Sequence, residues 1–266
     1  MIYSVFTFNG ESDILKLHYN ILNQYVDKFI IVEANQTFTG YSKPLYYFKD
    51  QRYFKQFWGK TINYIVNDWD DEELWDMARK SPNTKGAHHW QREFYIKESI
   101  HKALRSAGVQ DEDTVLIGDV DEIIDPIITF ESETPIKAKL RVYSYYLNNE
   151  SDESFHGTLI AQYKDIKGKC LNHMRSDTSL YSKGPHLGWH FTSQGGIKEL
   201  QRKLNDSYTQ ETYNTAEIQQ NLPHNYKNRI DFLNRPFTFK VCEDNWPQYL
   251  KEHRKEYKHM LFTESE

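Results

Sequence analysis

The stretch TVLIGDVDEIID, residues 114–125, sets three carboxylates directly after a short apolar run. Val115, Leu116 and Ile117 read as the end of a buried strand and Gly118 as its exit. Asp119, Asp121 and Glu122 then crowd together where the chain emerges. Like charges this close repel and are costly to desolvate, so a compensating positive charge is expected. Asp-x-Asp at a strand exit lets both carboxylates reach one hard divalent cation, with coordination positions left for phosphate oxygens. The bland alternative is a solvated acidic turn.

Working outward, IYSVFTF (2–8) is rich in β-branched and aromatic residues and reads as a strand ending at Asn9-Gly10. Ser12 then reads as the N-cap of a helix, with Ile14, Leu17, Ile21 and Tyr25 at helical spacing, supported by Leu15 and Leu22. KFIIVE (28–33) and TINYIV (61–66) are further strands, and a long helical pattern runs from His88 to about Ser106. DWDDEELWD (68–76) reads as a helix start, where the dipole favours Asp and Glu.

This alternation is the signature of βαβ units and a parallel sheet. Ligands of such sheets bind in the crevice beyond the strand C-termini. Asn9, Glu33 and Asp119 all fall at predicted strand exits, so they are expected to line one crevice.

After Pro126 the pattern changes. Residues 137–148, 157–165 and 188–193 read as strands, the first two alternating as antiparallel strands do, and helical patterns return at 197–205, 211–221 and 246–260. The expectation is one α/β domain over 1–266, with a Rossmann-like, mostly parallel central sheet flanked by helices. Residues 1–122 form its nucleotide-binding half and 123–266 a mixed C-terminal half.

A chain of 266 residues suits one such domain. With 33 basic and 38 acidic residues the net charge is −5, which offers no global field to nucleic acid or an anionic membrane. Two cysteines are too few for a disulfide scaffold and suit a reducing compartment. No basic n-region and no run of 18 apolar residues occurs, so a cytoplasmic protein without a membrane span is expected. The aromatic share of 15% offers flat amphipathic surfaces for sugars or bases, or ordinary core. Oligomeric state is left open.

Two metal chemistries use an Asp-x-Asp strand end. In a phosphohydrolase of haloacid-dehalogenase type the pattern is Asp-x-Asp-x-Thr, whereas Ile123 holds the Thr position here and three strands precede the motif. In a nucleotide-sugar glycosyltransferase of the GT-A type, Asp-x-Asp follows roughly a hundred residues of βαβ, which fits position 119. A non-catalytic glycan-binding domain is the third class.

Five ordered segments then resemble glycosyltransferase family seventeen, the group containing the bisecting β-1,4-N-acetylglucosaminyltransferase. They are FTFNGESDILKLHYNIL, VDKFIIVEANQTFTGYSKPLYY, WQREFYIKESI, LIGDVDEI and GWHFTSQGG, within about residues 1–205. The resemblance implies an inverting, Mn²⁺- or Mg²⁺-dependent transfer of a sugar, such as N-acetylglucosamine, from a UDP-type donor to a glycan acceptor. It implies that Asp119 and Asp121 hold the metal on the diphosphate, with His190 as a further ligand or an acceptor contact. Asn9 and Glu33 would sit near the nucleoside, and Lys43 and Arg92 would neutralise phosphate.

An inverting transfer also needs a base beyond the Asp-x-Asp. Asp152, Glu153, Glu199 and Glu211 are in range, with Glu199, after Gly195-Gly196, preferred. Each has a plainer reading: Glu33 as a cap on backbone amides, Arg92 as a surface ion pair, Lys43 as solvated, Asn9 as a turn residue and His190 as a core histidine. The family pattern is broken at His18, where Arg is expected, and at Gln210, where His is expected.

Overall fold

The computed structural model describes residues 1–81, 88–127, 134–208 and 213–263, without the side chains of His88 and His89. β1 (Ile2–Thr7), α1 (Ser12–Leu22), β2 (Lys28–Ala34), α2 (Tyr46–Asp50) and β3 (Thr61–Val66) open the chain. α3 (Glu72–Lys80), α4 (His88–Glu98), α5 (Ile100–Ser106) and β4 (Thr114–Asp119) follow. β1 pairs in parallel with β2 and β4, and β2 with β3, so the four predicted strands form one parallel block.

Strict alternation along β1 sends Tyr3 and Val5 to one face and Phe6 to the other. The first face is covered by α4 and α5 through Phe94, Tyr95, Ile96, Ile100 and Leu104. The second is covered by α1 through Ile14, Leu15, Leu17 and Ile21. This two-sided burial explains why these strands read as continuous apolar runs.

The second half adds β5 (Glu122–Ile124), β6 (Ile136–Ser144), β7 (Asn149–Gln162), α6 (Tyr163–Ile166), α7 (Leu171–Ser176) and β8 (Gly188–Thr192). α8 (Gly196–Ser207), α9 (Ala216–Asn228), β9 (Phe239–Val241) and α10 (Gln248–Glu252) complete the described chain. Strand order is β3-β2-β1-β4-β7-β6-β8-β5, with β9 on β7. The β4–β7, β6–β7, β5–β8 and β7–β9 pairs are antiparallel and β6–β8 is parallel. The expectation of a mostly parallel sheet is therefore corrected: the sheet is mixed, because β7 enters beside β4 in the opposite direction.

Several boundaries also move. Gly118 lies inside β4, since a Cβ there would meet Glu122 Oε2 at 2.6 Å and Thr158 Oγ1 at 2.7 Å. Ser12 is the first helical residue of α1; its hydroxyl donates to Asp50 (2.7 Å) rather than capping its own helix. Tyr25 falls beyond α1 and is 48% exposed. The pattern from His88 divides at Ser99, whose hydroxyl bonds the Tyr95 carbonyl (2.8 Å). The acidic stretch does begin a helix: the Asp71 side chain accepts from Leu74 N, capping α3. The pattern at 246–260 is interrupted after α10, and the start of that at 211–221 lies outside the described residues.

β5 and β8 approach unusually closely. A Cβ on Gly188 would stand 2.2 Å from the Ile123 carbonyl oxygen and 2.8 Å from the Ile124 Cα, both backbone atoms that cannot swing aside. Gly188→Ala is expected to separate this pair and cost at least the roughly 1–3 kcal/mol typical of overpacking. A thermal or urea midpoint equal to that of the wild type would contradict the contact.

Candidate active site

The ends of β1, β2 and β4 open into a cleft of about 280 Å³. Thr7 and Asp119 are register partners there, and the Thr7 hydroxyl donates to Asp119 at 2.6 Å. Lys97, from the last turn of α4, donates to both Asp119 oxygens at 2.8 and 2.9 Å. Arg175, on α7, approaches the same carboxylate at 3.7 Å. Burial alone would raise the Asp119 carboxyl, but Lys97 and Arg175 override it and hold the group far below the usual carboxylate range.

The turn after β4 is fixed from beneath by His18 on α1. Its Nδ1 lies 2.9 Å from the Val120 carbonyl, which only accepts, so Nδ1 carries the proton and Nε2 accepts from Ser4 Oγ (2.9 Å). Burial lowers this histidine to about 4 and keeps it neutral. Position 18 thus departs from the family pattern while remaining built into the fold under the Asp-x-Asp turn.

Asp121 faces His190 Nε2 at 3.6 Å and Lys203 Nζ, from α8, at 3.9 Å. His190 pairs with Glu122 across β5–β8 and stacks on Phe155 with ring centres 4.2 Å apart. Against opposing burial, Asp121 is held low by His190, and His190 is held high by Asp121. The buried His190 Nδ1 has no hydrogen-bond partner among the described residues.

Glu122 is 5% exposed, lines the cleft, and accepts from the Thr158 hydroxyl at 3.1 Å. Its carboxyl occupies the space that Cβ atoms of Gly118 and Gly157 would need. Burial, then the Asp119 charge, raises its pKa; burial likewise raises that of Glu11, at the entrance to α1.

Of the residues singled out by sequence, Asn9, Lys43, Asp119, Asp121 and His190 line this cleft. Glu33 does not. It is 0% exposed, and its carboxylate accepts from the amides of Tyr46 (2.5 Å) and Tyr47 (3.1 Å) at the start of α2 and from Lys43 (3.4 Å). A direct nucleoside contact is replaced by the capping role, since no exposed oxygen remains. Lys43 reaches the cleft over the Tyr46 ring, its pKa lowered by burial against the pull of Glu33.

Arg92 also lies off the cleft lining, with its guanidinium where a Cβ on Gly40 would be. Glu199 is not part of the cleft lining and accepts from Arg202 (2.9 Å). Asp152 and Glu153 bond Thr238 and Arg235 outside the cleft, and Glu211 and Gln210 lie outside the described residues.

Sequence reading missed Lys97, Arg175 and Lys203 as site residues because each arrives from a helix whose local pattern reports only an exposed cation. α8 also closes one rim of the cleft: Arg202 donates to the Asn9 carbonyl (2.7 Å), Asn9 Nδ2 to Asp206 (3.1 Å), and Thr39 N to the Asp206 carbonyl (3.1 Å). The Asn9 Oδ1, buried in this corner, is left without a hydrogen-bond partner among the described residues.

Residues 1–264 match the sequence model of glycosyltransferase family 17. The chain belongs to glycosyltransferase family 17. No curated protein matches it by sequence. A family 17 glycosyltransferase moves a sugar from a donor to an acceptor. No helix among the described residues is long and apolar enough to cross a membrane.

The donor set can be weighed against the expected divalent ion. Among the described residues no three His, Cys, Asp or Glu side chains converge as a ready metal cage. Asp121 and His190 form a two-donor set facing the cleft, whereas Asp119 has both oxygens on Lys97. Mg²⁺-like ions commonly take one or two protein carboxylates and complete their shell with water and substrate phosphate. Asp121 fits that pattern, and Asp119 fits it only by exchanging its ammonium; His190 is a nitrogen donor that suits a softer transition-metal ion and binds it only when neutral.

The His18 bond has a pH consequence. Its folded pKa lies below the ordinary value of about 6.5, so the unfolded chain binds the proton more readily. Its contribution is complete above pH about 6.5 and is lost as pH falls towards about 4, on the order of 3 kcal/mol. Urea unfolding of wild type and His18→Gln across that range should show the wild type losing this much more stability. Parallel pH profiles would refute the neutral histidine.

Proposed function

We propose that this protein is an inverting, metal-dependent glycosyltransferase of GT-A type, using a nucleoside-diphosphate sugar, with UDP as nucleotide, and a glycan acceptor. The parallel β3-β2-β1-β4 block ending at Asp119-Val120-Asp121 supports the GT-A reading. The observation that carries the donor reading is the grouping of Lys43, Lys97, Arg175 and Lys203 around the Asp119–Asp121 turn. Such cations suit a diphosphate. Asn9 Oδ1 offers an unpaired acceptor to a nucleoside N–H or hydroxyl.

Asp121 and His190 would hold the Mn²⁺ or Mg²⁺. That ion, when bound, would supply Lewis-acid charge to the diphosphate. Lys97 and Arg175 brace Asp119 so that the turn keeps its shape, and Lys203 presents its ammonium to the leaving group. In the transfer, the acceptor oxygen forms its bond to the anomeric carbon as the bond from that carbon to the phosphate oxygen breaks. The electron pair leaves with the diphosphate.

The acceptor proton goes to Glu122 rather than to Glu199. Glu122 stands in the cleft beside His190, and burial raises its pKa above the ordinary carboxylate value. N-acetylglucosamine as the transferred sugar rests on the family resemblance alone.

Calorimetric titration of UDP with and without Mn²⁺ tests the donor site. Binding should require the ion in the wild type and disappear in Asp121→Ala; binding indifferent to both would refute the site. Glu122→Gln should keep UDP affinity while lowering the transfer rate by about 10²–10⁴-fold. A normal rate in that variant would exclude Glu122 as the base.

A further inference from the structure

The net charge of −5 conceals a local surplus of the opposite sign. Between Lys43 in the cleft and β3, the chain runs through α2 and a 3₁₀ stretch, Gln51–Lys60. Residues 46–60, YYFKDQRYFKQFWGK, carry Lys49, Arg52, Lys55 and Lys60 against a single acid, Asp50, which already accepts from the Ser12 hydroxyl (2.7 Å).

The aromatic rings of this segment divide into two sets. Tyr47, Phe54 and Phe57 are buried. Phe54 and Phe57 pack on Tyr19 of α1 with ring centres 5.6 and 4.5 Å away, and Tyr47 stacks on Phe54 at 6.2 Å. That cluster joins the segment to the apolar core, so its outer face stands on a fixed base.

Phe48, Tyr53 and Trp58 turn outward and are 44, 64 and 49% exposed. Trp58 Nε1 already donates to the Gln51 carbonyl (3.1 Å), and Phe48 has no polar group, so both offer a partner apolar ring alone. Tyr53 adds a ring with a polar tip, whose oxygen accepts from Arg52 (2.9 Å).

The cations among these rings are not neutralised. Lys49, Arg52 and Lys55 are exposed. Among the described residues, Lys49 and Lys55 make no hydrogen bond or ion pair, and Arg52 meets only the Tyr53 hydroxyl and ring. Lys60 and the adjoining Lys28 bond the carbonyls of Asn23, Val26 and Gly59 rather than carboxylates, so their charge also persists.

Exposed rings interleaved with free cations suit the interfacial zone of a bilayer. Rings settle there among headgroups and upper acyl chains, while Lys and Arg keep their charge at anionic phosphates. Single-stranded nucleic acid is bound instead in basic grooves lined with stacking rings. Here cations and rings ride on the convex outside of helical turns.

We infer that the outer face of residues 46–60 docks this protein onto an anionic phospholipid membrane surface without spanning it. This docking is separate from the donor chemistry of the cleft and is measured with neither nucleotide nor metal present.

Cosedimentation with vesicles tests it, using phosphatidylcholine alone or mixed in equal parts with phosphatidylglycerol. The proteins are the wild type, Lys49→Glu/Lys55→Glu, Phe48→Ser/Tyr53→Ser and a control, Lys183→Glu/Lys227→Glu. The control makes the same change in net charge at exposed positions on other parts of the chain. Thermal midpoints confirm that each is folded, and the two patch variants serve independently if one is not.

The wild type should bind the mixed vesicles at least about tenfold more strongly than phosphatidylcholine, and less strongly as salt is raised. One cation near an anionic surface is worth about fivefold in partition, so Lys49→Glu/Lys55→Glu should weaken binding by about twentyfold or more. The control should weaken it by less than about threefold. Phe48→Ser/Tyr53→Ser should weaken it by about tenfold with every charge kept.

The inference is overturned if the wild type does not bind the mixed vesicles, if the control loses as much as Lys49→Glu/Lys55→Glu, or if Phe48→Ser/Tyr53→Ser binds like the wild type. Binding of single-stranded DNA in place of the vesicles would assign the face to nucleic acid and overturn it too. So would a dimer of the wild type that Lys49→Glu/Lys55→Glu dissociates, since the face would then belong to a second copy.

Discussion

The contact between Lys97 and Asp119 holds the functional end of the molecule together. It joins the last turn of α4 to the last residue of β4, with the Thr7 hydroxyl of β1 completing the grip. Lys97 is almost fully buried, so its ammonium cannot relax into solvent if Asp119 is removed, whereas the Asp119 side chain is 33% exposed towards the cleft. Removing one member of such a pair leaves an uncompensated charge, which is far more costly than the pair itself is favourable. The next residue along, Glu98, is also buried and caps α7 through the amides of Leu171 (3.1 Å) and Asn172 (2.8 Å). One helix end thus sets both the carboxylate and the element that carries Arg175 to it.

The same principle organises the rest of the cleft. Asp121 is matched by His190 and Lys203, and Glu33 by Lys43 and two backbone amides. Glu122 accepts from the Thr158 hydroxyl and sits between acids and cations. Its pKa is raised chiefly by burial and then by the Asp119 charge, with His190 and Arg175 opposing them. A buried carboxyl with a raised pKa is a group suited to proton transfer, the role proposed for it.

The parallel half was legible because its strands are buried on both faces and so announce themselves as apolar runs. β3 falls at the limits read from sequence, and β1 and β2 differ from theirs by a single residue. The mixed half was less legible. The first part of β7, NESDESFH, carries polar residues on both faces, the buried Asn149 and Glu150 among them, so periodicity does not report it as a strand.

For the site, strand-exit residues were found because the fold fixes where they emerge. Glu33 falls at the strand exit, and of its two readings the geometry matches the cap on backbone amides, those of Tyr46 and Tyr47, because α2 begins against it. Lys97, Arg175 and Lys203 lie 22, 56 and 82 positions from the acids they serve, distances over which only tertiary packing decides.

α8 lays its final turns across residues from the very start of the fold. Arg202 and Asp206 bond Asn9 over separations of 193 and 197 residues. Contacts so distant in sequence form late and slow folding, because long loops must close before they return any stabilisation. During synthesis, the acidic turn therefore emerges well before Lys203 exists to balance it. Until then the β4 end depends on Lys97 alone among its upstream cations. The order of the chain thus sets the order of neutralisation: Lys97 is made before the acids, and Arg175 and Lys203 come after.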